Sequence, residues 1–119
     1  MLIYSGAVLA EPKQTAKAEI EHLFTYLKSS GCKFNRNGTW YSAGDAVNHL
    51  ETKYNYLLDK GLIVTAQSFV ERGATKSSMS GKPYLVQCGS SEAVESAAWF
   101  MAELARYRGG NANRASGEN

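Results

Sequence analysis

The sequence carries little surplus charge, few metal-ligating side chains and no long apolar run. Thirteen basic against eleven acidic residues leave a net charge of +2. That excess is too small to make the many phosphate contacts on which nucleic-acid affinity depends, so nucleic acid is not an expected partner. No stretch approaches the roughly 18 apolar residues of a spanning helix, and no membrane span is expected. Only two histidines occur, His22 and His49, and neither forms H-E-x-x-H or lies beside a ligand-spaced cysteine. Cys32 and Cys88 stand too far apart for a C-x-x-C motif. No metal and no cofactor are expected. What is present is ordinary globular material: 44% hydrophobic and 20% charged residues in a chain of 119. Such a chain forms one domain with a single modest core.

The first ten residues, "MLIYSGAVLA", are uncharged, and Val8-Leu9-Ala10 places small residues where a signal peptidase would cut before Glu11. The stretch lacks a basic n-region, and residues 1–10 are expected to be the remnant of an export signal. Export bears on the cysteines, because in an oxidising compartment an even pair is usually bridged. A Cys32–Cys88 disulfide is therefore expected if the protein is exported; in a reducing compartment the same residues are two buried thiols.

Along the chain, Ile20, Leu23, Phe24 and Leu27 line one face of a helix from Thr15 to Ser30, and Gly31 stops it. In "CKFNRNGTWYS", Asn37-Gly38 tolerates the positive φ of a two-residue turn, giving a hairpin over 32–41 in which Arg36 faces Thr39, Asn35 faces Trp40 and Phe34 faces Tyr41. Ser42, with Asp45 three residues on, caps a second helix whose buried stripe is Val47, Leu50, Tyr54, Leu57 and Leu58. Thr65 caps a shorter third helix that turns Ala66, Phe69 and Val70 inward. The alternation in "YLVQC" predicts a strand over 84–88 with Tyr84, Val86 and Cys88 toward the core. A last helix begins between Ser90 and Ser96, runs to about Arg108 and buries Ala97, Met101, Leu104 and Ala105. The tail 109–119 has little to bury and is expected to be disordered. The fold class is α+β, with about four helices packed on a small antiparallel sheet within a single domain over 15–108.

The candidate chemistry centres on "KSSMSGKP". A phosphate-cradling G-x-x-x-x-G-K-[ST] loop fails here, because Lys76 stands where the first glycine belongs, Pro83 follows Lys82, and a strand follows where a helix should begin. Ser77, Ser78, Ser80 and Gly81 still offer donors, and Lys76 and Lys82 cations, for a carboxylate, phosphate or polar glycan. Ser80-x-Lys82 lacks the S-x-x-K frame of serine acyltransfer. His49, near Lys53 and Tyr54 on the second helix, is placed to orient a ligand or act as a base. Of the aromatic residues, Tyr41, Tyr54 and Tyr84 are expected in the core. Trp40, on the opposite side of the hairpin from Phe34, is the best exposed candidate for an interface.

The segments "FNRNGTWYSAGDAVNHLETKY" from Phe34, "TAQSFV" from Thr65 and "SSMSGKPYLV" from Ser77, together with Trp99, resemble those of a YfeK-like family of small exported bacterial proteins, domain of unknown function 5329. The resemblance spans most of residues 16–108. It implies a periplasmic protein and supplies no activity, substrate or catalytic residue. The chain departs from the family pattern in its incomplete leader and in the glycine-broken "DKGLIVTA".

The expected function is a non-catalytic periplasmic or secreted binding module for a small anionic or glycan-like ligand or an envelope protein. Its ligand-binding residues are expected to be Arg36, Asn37, His49, Lys53, Ser78, Ser80 and Lys82. Two alternatives remain: a small envelope-acting hydrolase or transferase with His49 as base and Ser80 as nucleophile, and a scaffold that forms a homodimer through its exposed aromatics.

Overall fold

The computed structural model describes residues 14–115, with side chains described as far as Gly110. The expected leader remnant, residues 1–10, lies outside the described residues, as do 116–119. The elements run α1 (Gln14–Ser30), β1 (Lys33–Arg36), β2 (Thr39–Tyr41), α2 (Ala43–Asp59), α3 (Ala66–Gly73), β3 (Leu85–Gln87), β4 (Val94–Glu95) and α4 (Ser96–Ala115). The four strands form one antiparallel sheet in the order β2-β1-β3-β4. The fold is α+β, as the sequence implies.

The hairpin takes the expected register, with Phe34 opposite Tyr41, Asn35 opposite Trp40 and Arg36 opposite Thr39. Its turn needs two left-handed residues, and Asn37 (φ 54°) and Gly38 (φ 86°) supply them. The Asn35 side chain closes the turn by accepting from the Gly38 N–H at 3.1 Å. On the other side of β1, Lys33 pairs with Gln87, Phe34 with Val86 and Asn35 with Leu85. One further step along that register sets Cys32 against Cys88, and the two are joined in a disulfide. The pair expected from the sequence is bonded, and it ties the end of α1 to the end of β3.

Local capping fixes where the helices begin. Ser42 accepts from the Asp45 N–H at the start of α2. At α3, Thr65 and Ser68 bond each other's backbone in a reciprocal capping box. The core lies between the helices and one face of the sheet, where Ile20, Leu23, Leu27, Phe34, Leu50, Phe69, Tyr84, Val86, Phe100 and Leu104 are all buried. Phe24, Tyr54 and Phe69 meet edge to face, with centroids 5.4–5.8 Å apart, and lock α1, α2 and α3 together.

Three features differ from the sequence reading. A fourth strand, β4, pairs its two exposed residues with Leu85 and Val86. It is too short to carry an alternation. In α4 the buried stripe is Ser96, Phe100, Glu103 and Leu104, whereas Met101 and Ala105 are exposed. The face is rotated because Glu103 belongs to the inside, where its carboxylate accepts from Arg106 and bonds His22 at 2.6 Å. A buried acid disguises the apolar stripe; on α1 a second buried acid, Glu19, accepts two bonds from Arg108 beside a stripe that the apolar residues still mark. Finally, the backbone of α4 is helical to Ala115, past the expected end near Arg108. Extending a formed helix by one residue is far easier than nucleating one, so Gly109 and Gly110 do not stop it.

Candidate functional site

Most of the polar segments singled out in the sequence converge. A cleft of about 230 Å³ is lined by Arg36, Asn37, His49, Lys53, Ser77, Ser78, Met79 and Tyr84. Four pieces of chain build it: the end of β1 with its turn, one face of α2, the loop before β3, and Tyr84 at the entry to that strand. His49 and Lys53 share the cleft because residues four apart lie on one helix face. Arg36 reaches it because position 36 points to the same side of the ribbon as the core residue Phe34 but lies at the strand's open end.

Tyr84 is the hub. Its ring is buried against Phe34, and its hydroxyl bonds Lys53 Nζ at 3.1 Å and His49 Nε2 at 3.2 Å. Lys53 also donates to the Lys76 carbonyl at 3.2 Å, and its ammonium lies 5.0 Å from the Tyr84 ring centroid. The Arg36 guanidinium sits 5.0 Å over the Tyr41 ring. Among the described residues no carboxylate lines the cleft, and the ion pairs join Arg106 to Glu103 and Arg108 to Glu19, not Arg36 or Lys53 to any acid. Positive charge is thus gathered in a half-buried place without a counter-ion.

The electrostatics follow from that. Burial holds the His49 imidazole below its ordinary pKa, and the nearby charges of Arg36 and Lys53 push it the same way. Burial likewise holds the Lys53 ammonium below the usual lysine range, again with help from Arg36. The Tyr84 phenol is pushed up by burial, with Arg36 opposing. The cleft therefore favours an uncharged histidine beside two cations.

The Ser-Gly-Lys loop turns the chain and does not cradle an anion with its backbone. The Ser77 N–H donates to the Lys82 carbonyl and the Gly81 N–H to the Ser77 carbonyl, both at 2.9 Å. The N–H groups of Met79 and Ser80 donate to Ser77 Oγ, and that of Lys82 to Ser80 Oγ. Gly81 takes the left-handed conformation that the bend requires (φ 75°). The Ser80 hydroxyl donates to Asn37 Oδ1 and stitches the loop to the hairpin turn. Of the expected ligand residues, Arg36, Asn37, His49, Lys53 and Ser78 line the cleft, whereas Ser80 and Lys82 do not. Ser80 and His49, the residues a hydrolase would pair, bond Asn37 and Tyr84 instead of each other.

Tyr84 is the member of the cleft that the sequence does not reveal, since its pattern reads as a core residue. Its place at the start of an alternating strand, with an apolar ring and a polar tip, was the available signal, since a buried phenol hydroxyl needs a partner. A second cavity of about 300 Å³ is lined by Thr15, Ala16, Glu19, Val64, Thr65 and Arg108. It is larger, but the two charges that its described residues bring to it, Glu19 and Arg108, are bonded to each other, so among the described residues it presents no unmatched charge to a ligand.

A family model for a family of unknown function, DUF5329, matches residues 14–108. No curated protein matches the chain, and no solved structure does.

Proposed function

The chain belongs to the DUF5329 family, and since that kinship carries no activity, we propose from the cleft itself that it is a non-catalytic binding module for a small anion. The observation that carries this reading is the meeting of Arg36, Lys53 and His49 around Tyr84 with no carboxylate among them. Half-buried charge without a counter-ion is unfavourable, and a ligand carboxylate, phosphate, sulfate or acidic glycan removes that penalty by pairing with it. Met79, 92% exposed on the rim, adds an apolar flank for the rest of such a ligand. A binding role rather than catalysis is favoured because the serine a hydrolase would use, Ser80, bonds Asn37, and His49 is held instead by the Tyr84 hydroxyl, itself tied to Lys53. The protein acts outside the cytoplasm, in the periplasm or after secretion, as one of the small exported YfeK-like proteins. The Cys32–Cys88 bridge supports that location. No helix among the described residues is long and apolar enough to cross a membrane.

Calorimetric titration with sulfate, phosphate, malonate and glucuronate tests the reading. At least one binds the wild type, and Arg36→Ala weakens it by about 1.5–3 kcal/mol, a loss of about ten- to hundredfold. Lys82→Ala, outside the cleft, changes affinity little. Absence of binding by all four anions, or equal affinity in Arg36→Ala, contradicts the assignment.

A further inference from the structure

We infer that an anion entering the cleft brings a proton with it, which settles on His49 and turns the Tyr84 hydroxyl toward the ligand. This inference rests on the anion-site reading and specifies how that site works. It starts from the hydrogen-bond chain Lys53–Tyr84–His49. A lysine ammonium has donors only, so the Tyr84 oxygen accepts from Lys53. Tyr84 retains its own proton, and among the described residues its hydroxyl bonds nothing but Lys53 and His49. Among the described residues, only an unprotonated Nε2 on His49 gives that proton an acceptor. The chain is thus wired Lys53 to Tyr84 to His49, with a neutral imidazole at the end.

Protonating His49 reverses the last link. Both imidazolium nitrogens are donors, so Nε2–H now donates to the Tyr84 oxygen, which already accepts from Lys53. The hydroxyl proton must leave that line and find another acceptor, and the direction open to it is the cleft that Tyr84 borders. Without a ligand this state is disfavoured, since it adds a third charge beside Arg36 of β1 and Lys53 of α2 and takes from the hydroxyl proton its acceptor among the described residues. The charged and titratable groups bearing on His49 are those two cations and the phenol of Tyr84; Asp45, one turn earlier on α2, is the acid on its helix face, and it neither lines the cleft nor bonds His49. A bound anion supplies the negative charge and the acceptor together. By linkage, whatever raises proton affinity at His49 on binding must make binding tighter where protons are more abundant.

Sulfate is the probe of choice, because it stays doubly charged from pH 5.5 to 8 and any proton taken up belongs to the protein. Titrations in buffers of different ionisation enthalpy give the protons bound per sulfate. The expected result is net uptake near neutral pH, with Kd weakening as pH rises by up to about tenfold per unit. His49→Gln, which keeps a polar partner for Tyr84, abolishes the uptake and flattens the profile while sulfate still binds. Sulfate binding with no proton uptake and a flat wild-type profile overturns the inference and leaves the anion site standing. A pH slope that persists unchanged in His49→Gln overturns it too. No sulfate binding at any of these pH values overturns the inference, and if phosphate, malonate and glucuronate fail to bind as well the anion site falls with it.

Discussion

Replacing Cys32 and Cys88 together by alanine lowers the melting temperature by about 20 °C. The bridge spans 56 residues of sequence, and closing a loop of that length removes about 4 kcal/mol of conformational freedom from the unfolded chain. For a domain of this size that free energy converts to a shift of about that many degrees. The bridge also holds β1 to β3, the two strands at whose ends Arg36 and Tyr84 enter the cleft. Loss of the bond should therefore weaken anion binding as well as stability. Thermal unfolding of the double variant against wild type, each with and without reductant, checks this. Reductant should lower the wild-type transition toward that of the variant and leave the variant unmoved. A double variant as stable as wild type would show that the sheet closes without the bridge.

Phe69→Ala is expected to destabilise the fold by about 3–5 kcal/mol, and Phe69→Leu by no more than about 1.5 kcal/mol. Phe69 is fully buried and touches Phe24 on α1 and Tyr54 on α2 edge to face. Its ring also closes on Gly73, where an added Cβ would lie 3.0 Å from it. Three helices meet on this one side chain, so truncation leaves a cavity that none of them can fill alone. Urea unfolding gives the free energies directly. Equal midpoints for the alanine and leucine variants would mean that the helices collapse onto the cavity.

Wherever a side chain declares its own geometry, the fold is legible in the sequence. Asn37-Gly38 predicts the hairpin and its register because few residue pairs accept two positive φ values. Ser42 and Thr65 predict helix starts because their hydroxyls accept from backbone N–H groups. The helix α4 is legible but its buried face is not, because Glu103 and its partners His22 and Arg106 come together only in the folded chain. The strand β4 escaped for a related reason, since its pairing is set by β3 and not by its own two residues. At the cleft, residue types alone drew attention to Arg36, His49 and Lys53. Tyr84, which joins the last two, reads as a core residue until the sheet is assembled. Ser80 and Lys82 looked like ligand donors, but the turn they stand in uses the Ser80 hydroxyl and both backbone N–H groups for itself.

The whole functional account depends on an anion lodging between Arg36 and the Lys53–Tyr84–His49 chain. A sulfate titration followed by two-dimensional NMR, observing backbone amides, arginine side chains and histidine rings, locates the ligand directly. The account predicts saturable shifts confined to Arg36, Asn37, His49, Lys53, Ser78 and Tyr84, lost in Arg36→Ala. Shifts centred instead on the Glu19–Arg108 cavity, or spread over the surface without saturation, would contradict it.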